Sequence, residues 1–161
     1  MTGPEISSAP AAADFIAVAG ALAERFGWPM RTSEHGNESV CVARVEGDPA
    51  FERIVWVYDL ERVTLRCMLV GASQVPAPLV PAVFELCARV NQGLPFGCLE
   101  FAFDDAVLVF RDSCDLDWGP LEQLVDGTTA RVLNLGERYA VAIDEVLRGV
   151  SVVDAVAHAE G

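Results

Sequence analysis

Three alternating apolar runs follow one another with almost no chain between them, and this spacing constrains the fold more than any other feature. The runs are ESVCVARVE (Glu38 to Glu46), FERIVWVYD (Phe51 to Asp59) and RVTLRCMLV (Arg62 to Val70). Each has the period of two of a strand, and only GDPA and LE separate them. A parallel pair needs a crossover of a dozen residues or more, so connections this short dictate an antiparallel meander.

The stretch VNQGLPFGCLEFAFDDAVLVFRDS, Val90 to Ser113, adds two more strands. Gly93 and Pro95 end a helix that runs from about Leu79 to Gln92, with Val80, Phe84, Cys87 and Val90 expected on its buried face. Pro81 fits only near the first turn of that helix. CLEFAF then alternates, Asp104 and Asp105 turn the chain, and AVLVFRD returns it.

Two further helices enclose these strands. From Ala11 to Gly27, Phe15, Val18, Leu22 and Phe26 recur at helical spacing, and Gly27 and Pro29 stop the run. Pro120 suits a first helical position, and an apolar face runs from Leu121 through Val125, Val132 and Tyr139 to Leu147. Gly127 and Gly136 are expected to bend or interrupt this long helix. Ser151 with Asp154 forms an N-cap signature for a short last helix.

The expected fold is therefore α+β, a five-stranded antiparallel sheet with element order α-β-β-β-α-β-β-α. Residues 1–10 read as a flexible segment, 11–149 as a single domain, and 150–161 as a short helix or tail. A length of 161 residues suits one core.

Composition narrows the function classes. Eleven basic residues, all arginine, against 24 acidic ones give a net charge of −13, which repels a phosphate backbone and argues against nucleic acid. Five scattered cysteines contain no Cys-x-x-Cys pair, so neither a disulfide framework nor a zinc site is expected. The N-terminal stretch lacks the basic region of a secretory signal, and no apolar run is long enough to span a bilayer. A cytoplasmic protein without membrane attachment is the expectation.

FGWP (Phe26 to Pro29), RVNQGLPFGCLEFAFDDAVLVFRDSCDL (Arg89 to Leu116) and ERYAVAIDEVLRG (Glu137 to Gly149) resemble the YbjN family of bacterial proteins. The most specific elements are Asn91, Leu94, Gly97 and the hairpin carrying Arg111, with the Tyr139 helix behind it. Family members often have a proline soon after that tyrosine, where this chain has Ala140 and Val141. The resemblance implies a fold like that of the small type III secretion chaperones, which are dimers that bind extended segments of a partner. It also implies a role in sensory transduction or regulation, and it brings no catalytic residue or cofactor.

Chemistry is sparse among the residues themselves. His35 in SEHGNES is placed in a polar turn and His158 in the last helix, too far apart and too poorly accompanied to hold a metal. Asp104, Asp105, Asp112, Asp115 and Asp117 lack the spacing of a calcium loop and read as turn formers and solvated surface. No serine has a nucleophile-elbow context, and no glycine-rich loop follows a strand. Asn91 and Arg111 read as structural, Asn91 ending a helix and Arg111 paired with Asp112 or Glu100.

The strands, however, are apolar on both faces, and two apolar faces need two covers. The second cover is the long helix wrapping round, a second copy, or a bound partner. A non-catalytic module follows, a homodimer that binds a polypeptide by strand addition or apolar docking, with Trp56, Tyr58 and Met68 as candidate anchors. The alternative is a small-molecule-binding regulator or weak enzyme with a pocket between sheet and helices, using Arg111 and Tyr139.

Overall fold

A computed structural model describes residues 10–161; the expected flexible segment lies outside the described residues except for Pro10. The elements are α1 (Ala12–Phe26), β1 (Met30–His35), β2 (Glu38–Arg44), β3 (Phe51–Asp59), β4 (Thr64–Gly71), α2 (Val80–Gly93), β5 (Cys98–Ala102), β6 (Val107–Asp115), α3 (Leu121–Leu147) and α4 (Val152–Glu160). The strands form one antiparallel sheet in the order β1-β2-β3-β4-β6-β5.

The sheet has six strands rather than five. The missed strand, MRTSEH, has no apolar alternation because it is an exposed edge. It pairs with β2 through the two-residue loop Gly36-Asn37, and Gly36 takes φ +61 at the first loop position, as a type II′ turn requires. His35 is thus the last residue of a strand, not part of the turn. Polar side chains on an outer strand also discourage unwanted pairing.

The connection from β3 to β4 is longer than the sequence suggested. Asp59 pairs with Thr64, so four residues rather than two turn the chain. Asp59 organises this turn: one carboxylate oxygen accepts from the Glu61 and Arg62 amides at 3.0 Å, and the other accepts from the Arg62 guanidinium at 2.9 Å.

All the helices that touch the sheet pack on one side of it. Phe15 of α1 stacks on Tyr58, Thr129 of α3 meets Trp56, and Phe84 of α2 lies edge-on to Phe101. The core is a single cluster between these helices and the side chains of Cys41, Ile54, Trp56, Leu65, Leu69 and Phe110. In α2 Val90 is buried as expected, but Val83 and Leu86 are buried beside it, while Val80 and Cys87 are half-buried and Phe84 is exposed.

Helix α3 runs unbroken for 27 residues. Gly136 does not interrupt it. A Cβ there would lie 2.6 Å from Leu69 Cδ2 and 3.0 Å from the Phe51 ring, so glycine lets the helix sit close on the sheet. Helix α4 is capped by Ser151, whose hydroxyl accepts from the Asp154 amide at 3.2 Å, and it buries Val152 and Ala155. The Tyr139 hydroxyl donates to Glu160 at 2.8 Å, joining α4 to α3.

Candidate functional site

Side chains alternate across a strand, and the ladder register carries that alternation across the sheet. Trp56 pairs with Cys41 and Cys67, Ile54 with Ala43 and Leu69, and all of these face the helices. The intervening residues face the other way. They include Val40 and Val42 of β2, Val55 and Val57 of β3, Met68 and Val70 of β4, Val107 and Val109 of β6, and Ala102 of β5.

Among the described residues no helix packs on this second face, yet Val57, Val70, Val107 and Val109 on it are each at most 8% exposed. Its apolar band crosses five neighbouring strands, and the side chains of Val55, Met68, Val70, Val107 and Val109 pack against one another in a cluster separate from the main core. The long helix does not wrap round.

Charged residues frame the band. Arg31, Arg44, Arg53, Arg66 and Arg111 project from this face, against Glu38, Asp59, Glu100 and Asp115. Arg111 clamps Glu100, with Nε at 3.0 Å from both carboxylate oxygens and Nη2 at 2.6 Å from one. This hydrogen bonding holds the Glu100 carboxyl below the usual carboxylate range. Arg66 reaches over β3 to Glu38, and Arg53 meets Asp105 at 3.3 Å.

Five arginines against these four carboxylates, with Glu52 and Asp105 paired to Arg53, keep this face close to neutral in a chain with 11 basic and 24 acidic residues. The opposite side and the helices carry most of the negative charge.

The three anchors expected from the sequence do not assemble. Trp56 and Tyr58 are both fully buried in the core, where a partner would not reach them. Met68 pairs with Val55 and faces the opposite side. A turn of even length pairs even-numbered residues of β3 with odd-numbered ones of β4, so Cys67, not Met68, lies beside Trp56. Met68 alone belongs to the open face.

The other singled-out residues make contacts within the chain. The Asn91 side chain mimics a strand neighbour: its amide donates to the Leu99 carbonyl at 3.0 Å, and its oxygen accepts from the Leu99 amide at 2.7 Å. That pins the start of β5 to the end of α2. Arg111 projects from the open face while Tyr139 lies in the core, so no common cavity joins them. His158 sits 3.1 Å from Glu145, and His35 lies against Ser33. Burial pushes the thiols of Cys41, Cys87 and Cys114 up to about 11, and Cys67 higher still, so these cysteines are protonated and poor nucleophiles.

Several concavities border the sheet among the described residues, and two of them adjoin the residues discussed above. One, about 370 Å³, lies between Phe51, Gly71 and Leu108 of the sheet region and Ala140, Ile143 and Leu147 of α3. The other, about 530 Å³, lies at the end of β6 beside Phe96, Trp118 and Leu124. Among the described residues no helix is long and apolar enough to cross a membrane.

Fold and surface define an α+β protein with one sheet face packed by helices and the other bare. Compared with protein-family models and with curated proteins, the chain matches none.

Proposed function

We propose that this protein is a non-catalytic interaction module, chaperone-like or regulatory, of the YbjN kind and with a type III secretion chaperone-like architecture. It works as a homodimer in which the bare sheet face packs against the same face of a second copy, and it binds a polypeptide partner. The observation that carries this reading is the apolar band from Val42 to Val109 with every sheet-contacting helix on the other side.

Charge supports a second copy as the occupant. Two molecules of net charge −13 repel each other across most of their surfaces, and the nearly neutral face offers the approach with the least repulsion. Its size fits too. Six strands about 4.8 Å apart and roughly seven residues long present about 650 Å² in projection, approaching the ~800 Å² per partner of a standard interface. The five unpaired cysteines suit a reducing cytoplasm.

Sedimentation equilibrium tests the reading. The chain should sediment as a dimer, and Met68→Arg should give a monomer that keeps its helix and sheet content. A wild-type chain that stays monomeric at several hundred micromolar, or a Met68→Arg variant that still dimerises fully, would overturn it.

A further inference from the structure

Strand β6 outruns its neighbour. It continues to Asp115, whereas β5 begins only at Cys98, opposite Arg111. Extending that register would set Gly97 against Asp112 and Phe96 against Ser113. Gly97 instead takes φ +70, a left-handed conformation that turns the chain away. From Asp112 to Asp115, β6 has β4 on one side and, among the described residues, no strand on the other.

Backbone groups of successive strand residues point to opposite sides, and one hydrogen bond sets the phase. The Leu116 amide donates to the Val63 carbonyl at 3.0 Å, on the β4 side. Cys114 and Asp112 share that direction. Ser113 and Asp115, both exposed, therefore turn their N–H and C=O groups outward. The Arg111 carbonyl points the same way, since a Cβ on Gly97 would lie 3.1 Å from it.

The 530 Å³ notch follows this bare edge. Two of its lining aromatics are unusually open for their size, Phe96 at 66% and Trp118 at 67% exposure. Its arginines are already engaged, Arg111 by Glu100 and Arg131 by Asp112. Asp115 on the edge and Asp117 beside Trp118 have no ion-pair partner among the described residues. These two do not line the notch but flank it in the chain, so the unanswered charge beside it is negative.

We propose that this edge captures an extended segment of a partner polypeptide, which adds to β6 in line with β5. The segment alternates basic residues with aromatic or aliphatic ones. This deepens the interaction-module reading and rests on it. The outward amides and carbonyls of Ser113 and Asp115 present the donor and acceptor spacing that an added strand completes, a pattern a small molecule does not match. Four residues of open edge span about 13 Å at ~3.3 Å each, room for a short strand. Phe96 and Trp118 offer amphipathic contact for an apolar side chain, and the free carboxylates favour lysine or arginine beside it.

The probe is a fluorescein-labelled hexapeptide alternating arginine with valine, with one central phenylalanine, titrated by fluorescence anisotropy against the full chain at low salt. It should bind saturably, and amide exchange read by NMR should slow at Ser113 and Asp115. Trp118→Ala, a change at an exposed side chain that leaves melting unaltered, should weaken binding about ten-fold or more. Methylating alternate peptide nitrogens, or replacing its arginines with glutamates, should abolish it. No binding, binding indifferent to both Trp118→Ala and N-methylation, or binding without protection at Ser113 and Asp115 would overturn the proposal. Sedimentation of the same samples separates the two readings: a dimer that ignores the peptide sinks the edge site alone, and a monomer that binds it sinks the homodimer alone.

Discussion

The indole N–H of Trp56 on β3 donates a 2.8 Å hydrogen bond to the hydroxyl of Thr129 on α3, inside the core. Both residues are buried, and the contact joins positions 73 residues apart in the chain. It fixes how the long helix is rotated on the sheet. A buried indole N–H without a partner is costly, which explains a threonine at a helix position that packing alone would give to valine.

Thr129→Val should therefore destabilise the protein by about 1 to 3 kcal/mol, the cost of an orphaned buried donor, although the shape is conserved. Trp56→Phe leaves a cavity of its own, so the double variant should lose less than the sum of the two single losses. Urea denaturation of the single and double variants checks this, and additive losses would show that the bond contributes nothing.

At Gly136, alanine brings two opposing effects. Helix propensity favours it by about 1 kcal/mol, while overpacking against Leu69 and Phe51 costs about 1 to 3 kcal/mol. The 2.6 Å approach to a buried leucine makes the second effect the larger. Gly136→Ala should lower the melting temperature, and Leu69→Ala should make the same change neutral or stabilising. Thermal melts of the two pairs decide it.

Acid should act on Asp59 and Glu100. Hydrogen bonds from the Arg62 amide and guanidinium hold Asp59 below its ordinary value of 3.8, and those from Arg111 hold Glu100 below 4.5. A carboxyl whose folded value is depressed stabilises the fold fully above the unfolded value, and the contribution is lost as pH falls through the folded one. Stability should be flat above about pH 5 and decline below pH 4. Asp59→Asn and Glu100→Gln should each be less stable than wild type at pH 7 and flatten that decline. Urea midpoints across the pH range provide the measurement, and parallel curves for variant and wild type would refute the assignment.

Much of the architecture was legible because it is written in local patterns. The alternation in FERIVWVYD and RVTLRCMLV, the short connections, Gly27 as a helix stop and the Ser151 cap all act within a few residues. Strand β1 was not legible, since an edge strand exposed on both sides has no need of apolar alternation. Gly136 reads in the sequence as a weak point in a helix. Only its distance to Leu69, a residue far away in the chain, turns it into a packing device.

The site divides the same way. By itself the sequence determined that the strands carry apolar residues on both faces and that the chain is strongly acidic, because composition and period are properties of the string. Tertiary structure decided which face the helices cover, and so moved Trp56 and Tyr58 into the core and left Met68 outside. It also decided that β5 stops at Cys98 while β6 continues to Asp115. Both outcomes depend on register and on which surfaces meet, and those are set by the sum of many weak contacts between distant residues rather than by any short stretch of chain.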